Sequence, residues 1–126
     1  MSLHTTHIEW HKLLGIPPQI AVNCVAPLSI KQIKRAVAAY YWIPLADIES
    51  KERHKKIVRA RRIAMYLAKE LTGLTYPAIA RRFDRRSTTV LRGIRIIEQL
   101  RTKDSLLDLE LTSFEFAFRN LCEVDG

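Results

Sequence analysis

Between Tyr76 and Leu100 two stretches of helical periodicity are separated by only three residues. In the first, Ile79, Ala80 and Phe83 share one face, with Arg81 and Arg82 opposite. Thr75 precedes it as an N-cap, and Pro77 falls in the first turn, where a missing N–H costs little. Asp84-Arg85-Arg86 breaks the pattern. The second helix is expected from Ser87 or Thr88 to about Leu100. Its Val90, Ile94 and Ile97 follow i, i+4, i+7 spacing toward a core, and Leu91 lies beside them. Gly93 permits close approach of a neighbouring helix. Two helices on so short a connection fit a helix-turn-helix. This pair fixes the fold class as all-α, and the rest of the chain must supply helices for it to pack on.

The remaining helices can be read off. Ser29-Ile30-Lys31-Gln32 is a Ser-x-x-Gln capping box, opening a helix to about Tyr41. Ile30, Ile33 and Val37 form its apolar face, and Lys31, Lys34 and Arg35 are expected outside. Pro44 is expected to end it, and Leu45–Ile48 adds one further turn. Residues 50–56 read as a polar, basic loop. From about Val58 a wide apolar stripe returns with Ile63, Ala64, Leu67, Ala68 and Leu71, with Arg59, Arg61, Arg62 and Lys69 at its margins. Gly73 suits the left-handed position after a helix end. Beyond Lys103 the acidic segment carries Leu107, Leu111, Phe114, Phe118 and Leu121 at helical spacing, as a terminal helix covering the core would. Residues 1–27 form an extension, with a short helix expected over His7–Leu14 and stopped by Gly15 and Pro17-Pro18. His4, His7 and His11 have the spacing of one helical face, but no Cys or acid completes a metal set.

Charge narrows the class of partner. The 126 residues include 21 Lys or Arg and 13 Asp or Glu, formally +8. Lys51–Arg95 holds 14 of the cations against Glu52, Glu70 and Asp84, a net +11, leaving −3 for the rest. A cluster of this size marks a contact face for a polyanion, against the plainer reading of a solvated basic surface. Tyr66, Tyr76 and Phe83 are its only aromatics, too few for the stacking that single strands require, so the expected partner is double-stranded DNA. No apolar run approaches the roughly 18 residues of a spanning helix, and no export signal is seen. Cys24 and Cys122 then read as free or buried thiols, and the expected compartment is the cytoplasm, in association with the nucleoid.

A recognition helix reads the major groove from its N-terminal end. Here that end carries Ser87, Thr88 and Thr89, one of which is expected to cap the helix as well, with Arg92 and Arg95 on the outward face. Hydroxyls can reach phosphates or base edges, and arginine can grip guanine bidentately. The segments Arg59–Gly73 and Tyr76–Phe83, with Thr88-Thr89-Val90 and Arg95–Leu100, resemble the C-terminal DNA-binding domain of the bacterial replication initiator DnaA. Ser29–Ser50 is similar too, so the resemblance spans about residues 28–102.

The resemblance implies a compact helical domain in which a basic-loop arginine, Arg53 here, enters the minor groove. Lys51 aligns with another basic loop residue and Arg62 with a polar phosphate contact. Thr88 and Thr89 match the Thr-Thr pair that touches bases and backbone. The candidate DNA-binding set is Lys51, Arg53, Lys55, Lys56, Arg61, Arg62, Arg85, Arg86, Ser87, Thr88, Thr89 and Arg92. The family reads Gly-Gly-Arg-Asp-His-Thr-Thr-Val where this chain has Asp84-Arg85-Arg86-Ser87-Thr88-Thr89-Val90, one residue shorter. Arg86 stands for an Asp and Ser87 for a His, so an acceptor becomes a donor and the preferred base should move from cytosine toward guanine.

No Gly-x-x-x-x-Gly-Lys-Ser/Thr occurs, so neither a P-loop nor a bound nucleotide is expected, and the chain reads as a free-standing relative without the ATPase domain. No cofactor and no enzyme constellation is found. The expected activity is sequence-preferring duplex binding that regulates replication or transcription by occupying sites. Its rivals are a module that docks a replication protein and a sequence-neutral DNA-packaging protein. The sequence leaves the oligomeric state open; the resemblance implies a monomer.

Overall fold

The computed structural model describes residues 28–123, with side chains as far as residue 120. The expected His7–Leu14 helix, His4, His7, His11 and Cys24 lie outside the described residues, as do the side chains of Leu121 and Cys122. Six helices follow in order: α1 Ile30–Tyr40, α2 Leu45–Glu49, α3 Lys55–Thr72, α4 Tyr76–Phe83, α5 Ser87–Lys103 and α6 Ser105–Glu123. The fold is all-α, with no strand among the described residues. None of these helices is long and apolar enough to cross a membrane.

The central helix is α3, which touches all five others. Ala60, Ile63, Ala64, Leu67 and Ala68 on it are 2% exposed or less. Ile33 and Val37 from α1, Ile79 and Phe83 from α4, and Val90, Ile94 and Ile97 from α5 close around them. Helix α6 covers α3 and α5 with Leu107, Leu111, Phe114 and Phe118. This is the terminal covering helix that the acidic segment's periodicity suggests.

Local chemistry sets the ends. Ser29 and Gln32 make the reciprocal capping box, Ser29 N–H to Gln32 Oε1 at 2.9 Å and Gln32 N–H to Ser29 Oγ at 3.2 Å. Gly73 ends α3 with φ 69°, and the Thr75 side chain caps α4. Helix α1 stops at Tyr40, before the Pro44 expected to end it. Trp42 takes φ 57°, and Ile43 N–H returns to Ala38 O at 2.9 Å. Pro44 instead precedes the first turn of α2. Helix α3 begins at Lys55, earlier than expected, because His54 Nδ1 accepts the Lys56 N–H and caps the turn. Lys55 and Lys56 are therefore helical residues, not loop residues. Helix α5 runs to Lys103, past the expected end at Leu100.

A cation expected at the surface is inside. Lys34 is 5% exposed. Its Nζ donates to Glu49 Oε2 at 3.3 Å and to the Arg82 carbonyl, and lies 4.6 Å from the centre of the Phe83 ring. Burial pushes its pKa down, opposed by the Glu49 carboxylate. The residue joins α1, α2 and α4. Near the end of α5 the part-buried Arg101 binds Glu115 through two nitrogens, at 2.9 and 3.1 Å, Asp108 at 2.6 Å and the Tyr66 hydroxyl at 2.8 Å. It pins α6 to α5 and α3, and these hydrogen bonds, that to Glu115 foremost, raise its pKa.

Candidate nucleic-acid interface

The turn between α4 and α5 is built by the end of α4. Asp84 adopts φ 54°, ψ 50°, the left-handed conformation. Arg85 N–H then reaches Ala80 O at 2.9 Å and Asp84 N–H reaches Arg81 O at 3.3 Å, the paired closure of a Schellman motif. Asp is one of the few residues with a side chain that visits this region, at a cost of about 1 kcal/mol relative to glycine. The closure uses up Asp84 and Arg85, so Arg86 becomes the residue before α5, with extended backbone and no side-chain cap. Ser87, Thr88 and Thr89 are the first three helical residues, and none of them caps, contrary to expectation. Thr88 and Thr89 are exposed, and Ser87 is half-buried. Their hydroxyls are left for other partners at the end where α5 presents unpaired N–H groups.

Arg62 from α3 and Arg85, Thr89 and Arg92 from the turn and α5 line a cleft of about 210 Å³ between the two helices. Gly93 makes this arrangement possible. A Cβ built there would lie 3.1 Å from Arg62 Cγ and 3.6 Å from Met65 Sδ, so only glycine lets the Arg62 stem lie unshifted across α5. Beside this cleft a more open one is lined by Lys51, Asp84, Arg85, Arg86 and Thr89. Arg85 and Thr89 border both. The structure therefore brings Lys51, Arg62, Arg85, Arg86, Thr89 and Arg92 onto one continuous surface. Arg53, Lys55 and Lys56 are exposed on the loop and first turn of α3 that follow Lys51.

Arg61 also lines the first cleft, but as a buried residue. It is 5% exposed, and its guanidinium donates to Ile48 O at 2.9 Å and Asp47 O at 3.0 Å. A five-residue helix leaves its last carbonyls without intrahelical partners, and Arg61 supplies donors for two of them. Burial, with the Arg85 charge adding to it, pushes its pKa down. Arg61 thus holds the end of α2 while it lines the cleft. Arg85 has a mixed position. It is half-buried, and its Nη2 donates to Ser50 O at 2.6 Å while Nη1 reaches Asp84 O at 3.3 Å.

The loop-to-turn contacts were missed from sequence. Lys51 Nζ donates to Asp84 O at 2.8 Å and lies 3.4 Å from Asp84 Oδ2. The one available signal was a lone acid in the middle of a basic run. Among the described residues no group of three or more His, Cys, Asp or Glu is placed to hold a metal ion.

Residues 30–97 match the family model described as the bacterial dnaA protein helix-turn-helix. Chromosomal replication initiator protein DnaA from Sphingopyxis alaskensis is 46% identical over 87 residues, which cover 68% of this chain and 19% of that protein. The same protein from Azoarcus sp. is 49% identical over 82 residues, 64% of this chain and 17% of the relative. That from Cereibacter sphaeroides is 42% identical over 103 residues, 73% and 23% respectively. The chain spans about a fifth of the length of these relatives.

Proposed function

The chain belongs to the bacterial DnaA helix-turn-helix family, and from that membership we propose that it binds double-stranded DNA with sequence preference and regulates replication or transcription by occupying its sites. The unit that does so is residues 28–102, with α6 as its cover and residues 1–27 as an extension. It acts without nucleotide, metal or catalysis, as a monomer, in the cytoplasm on nucleoid DNA. The observation that carries the reading is the joint surface of the loop, α3 and the start of α5. Seven candidate residues line its clefts, the buried Arg61 among them, and Asp84 is the one acid there. Such a field attracts phosphates and fixes the register of a duplex.

In this reading Lys51, Lys55, Lys56 and Arg62 meet phosphates, and Arg53 enters the minor groove, where a narrow A/T-rich stretch concentrates negative potential. Ser87, Thr88, Thr89 and Arg92 face the major groove. Arg86 stands at the entry of α5, the part of a recognition helix nearest base edges. It can only donate, which suits guanine O6 and N7.

Site selection from a random duplex library tests this, with the parent beside Arg86→Asp/Ser87→His. The parent should enrich a defined site with guanine at one position. The double variant should shift that position toward cytosine, by about 1–3 kcal/mol. Enrichment of no sequence by the parent would favour sequence-neutral packaging. Identical profiles would show that Arg86 and Ser87 clamp the backbone instead.

A further inference from the structure

The basic loop and the helix-turn-helix are fastened to each other. Arg85 in the turn donates from Nη2 to the Ser50 carbonyl at 2.6 Å, and Lys51 in the loop donates back to the Asp84 carbonyl at 2.8 Å. The two carbonyls sit at opposite ends of the clip, and each side supplies one cation. Arg85 Nη1 also reaches Asp84 O at 3.3 Å, so the guanidinium bridges both halves. Below the loop, Arg61 holds Asp47 O and Ile48 O. The carbonyls of residues 47, 48 and 50 are thereby fixed by arginines from two other elements.

The strengths differ. Lys51 and Asp84 side chains are 70% and 87% exposed, and an ion pair so solvated contributes little by itself. The Arg85 guanidinium is half-buried and charge-assisted, the stronger kind of bond. Asp84 earns its place through its backbone, because the left-handed turn leaves its carbonyl to accept from Lys51 and Arg85.

We infer that Arg85 is a positioning residue, and that its clip to Ser50, with Lys51 on Asp84, sets the separation between the minor-groove arginine Arg53 and the recognition helix α5, so that the protein reads the spacing between two elements of its site as well as their sequence. This rests on the proposed DNA-binding reading. Arg53 stands three residues beyond Ser50, and Arg86 is the residue next to Arg85. A loop free to swing would reach an A/T-rich element at several distances from the major-groove contact. A clipped loop reaches it at one, and the ordering cost has been met before DNA arrives.

The test uses the full chain and the duplex enriched by site selection, with one base pair inserted or removed between the A/T-rich element and the guanine-bearing core. For the parent, each change should weaken binding about tenfold or more. For Arg85→Ala and Arg85→Lys the penalty should shrink to about threefold or less. Lysine keeps the charge but lacks the fork that bridges Ser50 and Asp84. In the free protein, amide exchange over residues 51–54 should quicken in both variants, and more than exchange in the core of α3. An unchanged spacing penalty in Arg85→Ala would overturn the inference. So would a parent-like Arg85→Lys beside an Arg85→Ala that binds every spacing more weakly by one factor, the mark of a simple phosphate contact. Failure of the parent to prefer any duplex would overturn the DNA reading itself. The exchange measurement reads the clip without DNA, and unchanged exchange in both variants would overturn the clip alone.

Discussion

Arg53 and Arg61 have the same side chain, eight residues apart, and opposite surroundings. Arg53 is exposed, whereas Arg61 is buried on two backbone carbonyls. Truncating a buried charged donor leaves its acceptors unpaired and opens a cavity. Arg61→Ala should therefore lower unfolding free energy by about 2–3 kcal/mol, and Arg53→Ala by less than about 0.5 kcal/mol. Denaturant titration of the two variants checks this, and equal stability losses would contradict the buried role of Arg61. The placement of Arg61 was open to a stricter reading of periodicity. It falls four residues after Ile57 and three before Ala64, on the inward stripe. Lys34 likewise falls four after Ile30. Lys34 was expected outside and Arg61 at the stripe's margin because charge outweighed position, yet each finds carbonyl acceptors far along the chain, at separations no local pattern encodes.

At the scale of elements, every described helix was legible from its apolar period or its bounding prolines, and capping chemistry added to it at α1 and α4. Their edges were less so. Helix α5 starts at Ser87, within the expected bounds, but the Schellman closure of α4 consumes the preceding residues and leaves Arg86, not a hydroxyl, at the N-cap. The extra length of α5 carries Arg101, whose partners lie on α3 and α6. Those bonds suit a planar fork, and an ammonium cannot make them all at once. Arg101→Lys should cost about 2 kcal/mol of stability and quicken amide exchange across α6, while affinity for the selected duplex stays within about twofold. A loss of affinity in step with the loss of stability would show that this end of the molecule reports to the DNA face.

For the whole molecule, the +11 held between Lys51 and Arg95 makes association a matter of counterion release. With Arg61 buried and Arg85 engaged, the candidates for phosphate are Lys51, Lys55, Lys56 and Arg62, with Arg53, Arg86 or Arg92 adding to them. About five such contacts give a slope of about −4.5 for log affinity against log salt. Lys56→Ala should make the slope shallower by about 0.9, and Arg61→Ala should leave it unchanged. A parent slope shallower than about −2 would favour a protein-docking module. The two ends of α5 have different duties: Arg86–Thr89 at one, the Arg101 network at the other, about 25 Å apart for 17 residues. Exposed residues at the first end hold nothing together. In the proposed reading a lineage can therefore exchange them without losing the fold, and a population carrying this domain can drift from one preferred site to another by single steps, each open to selection.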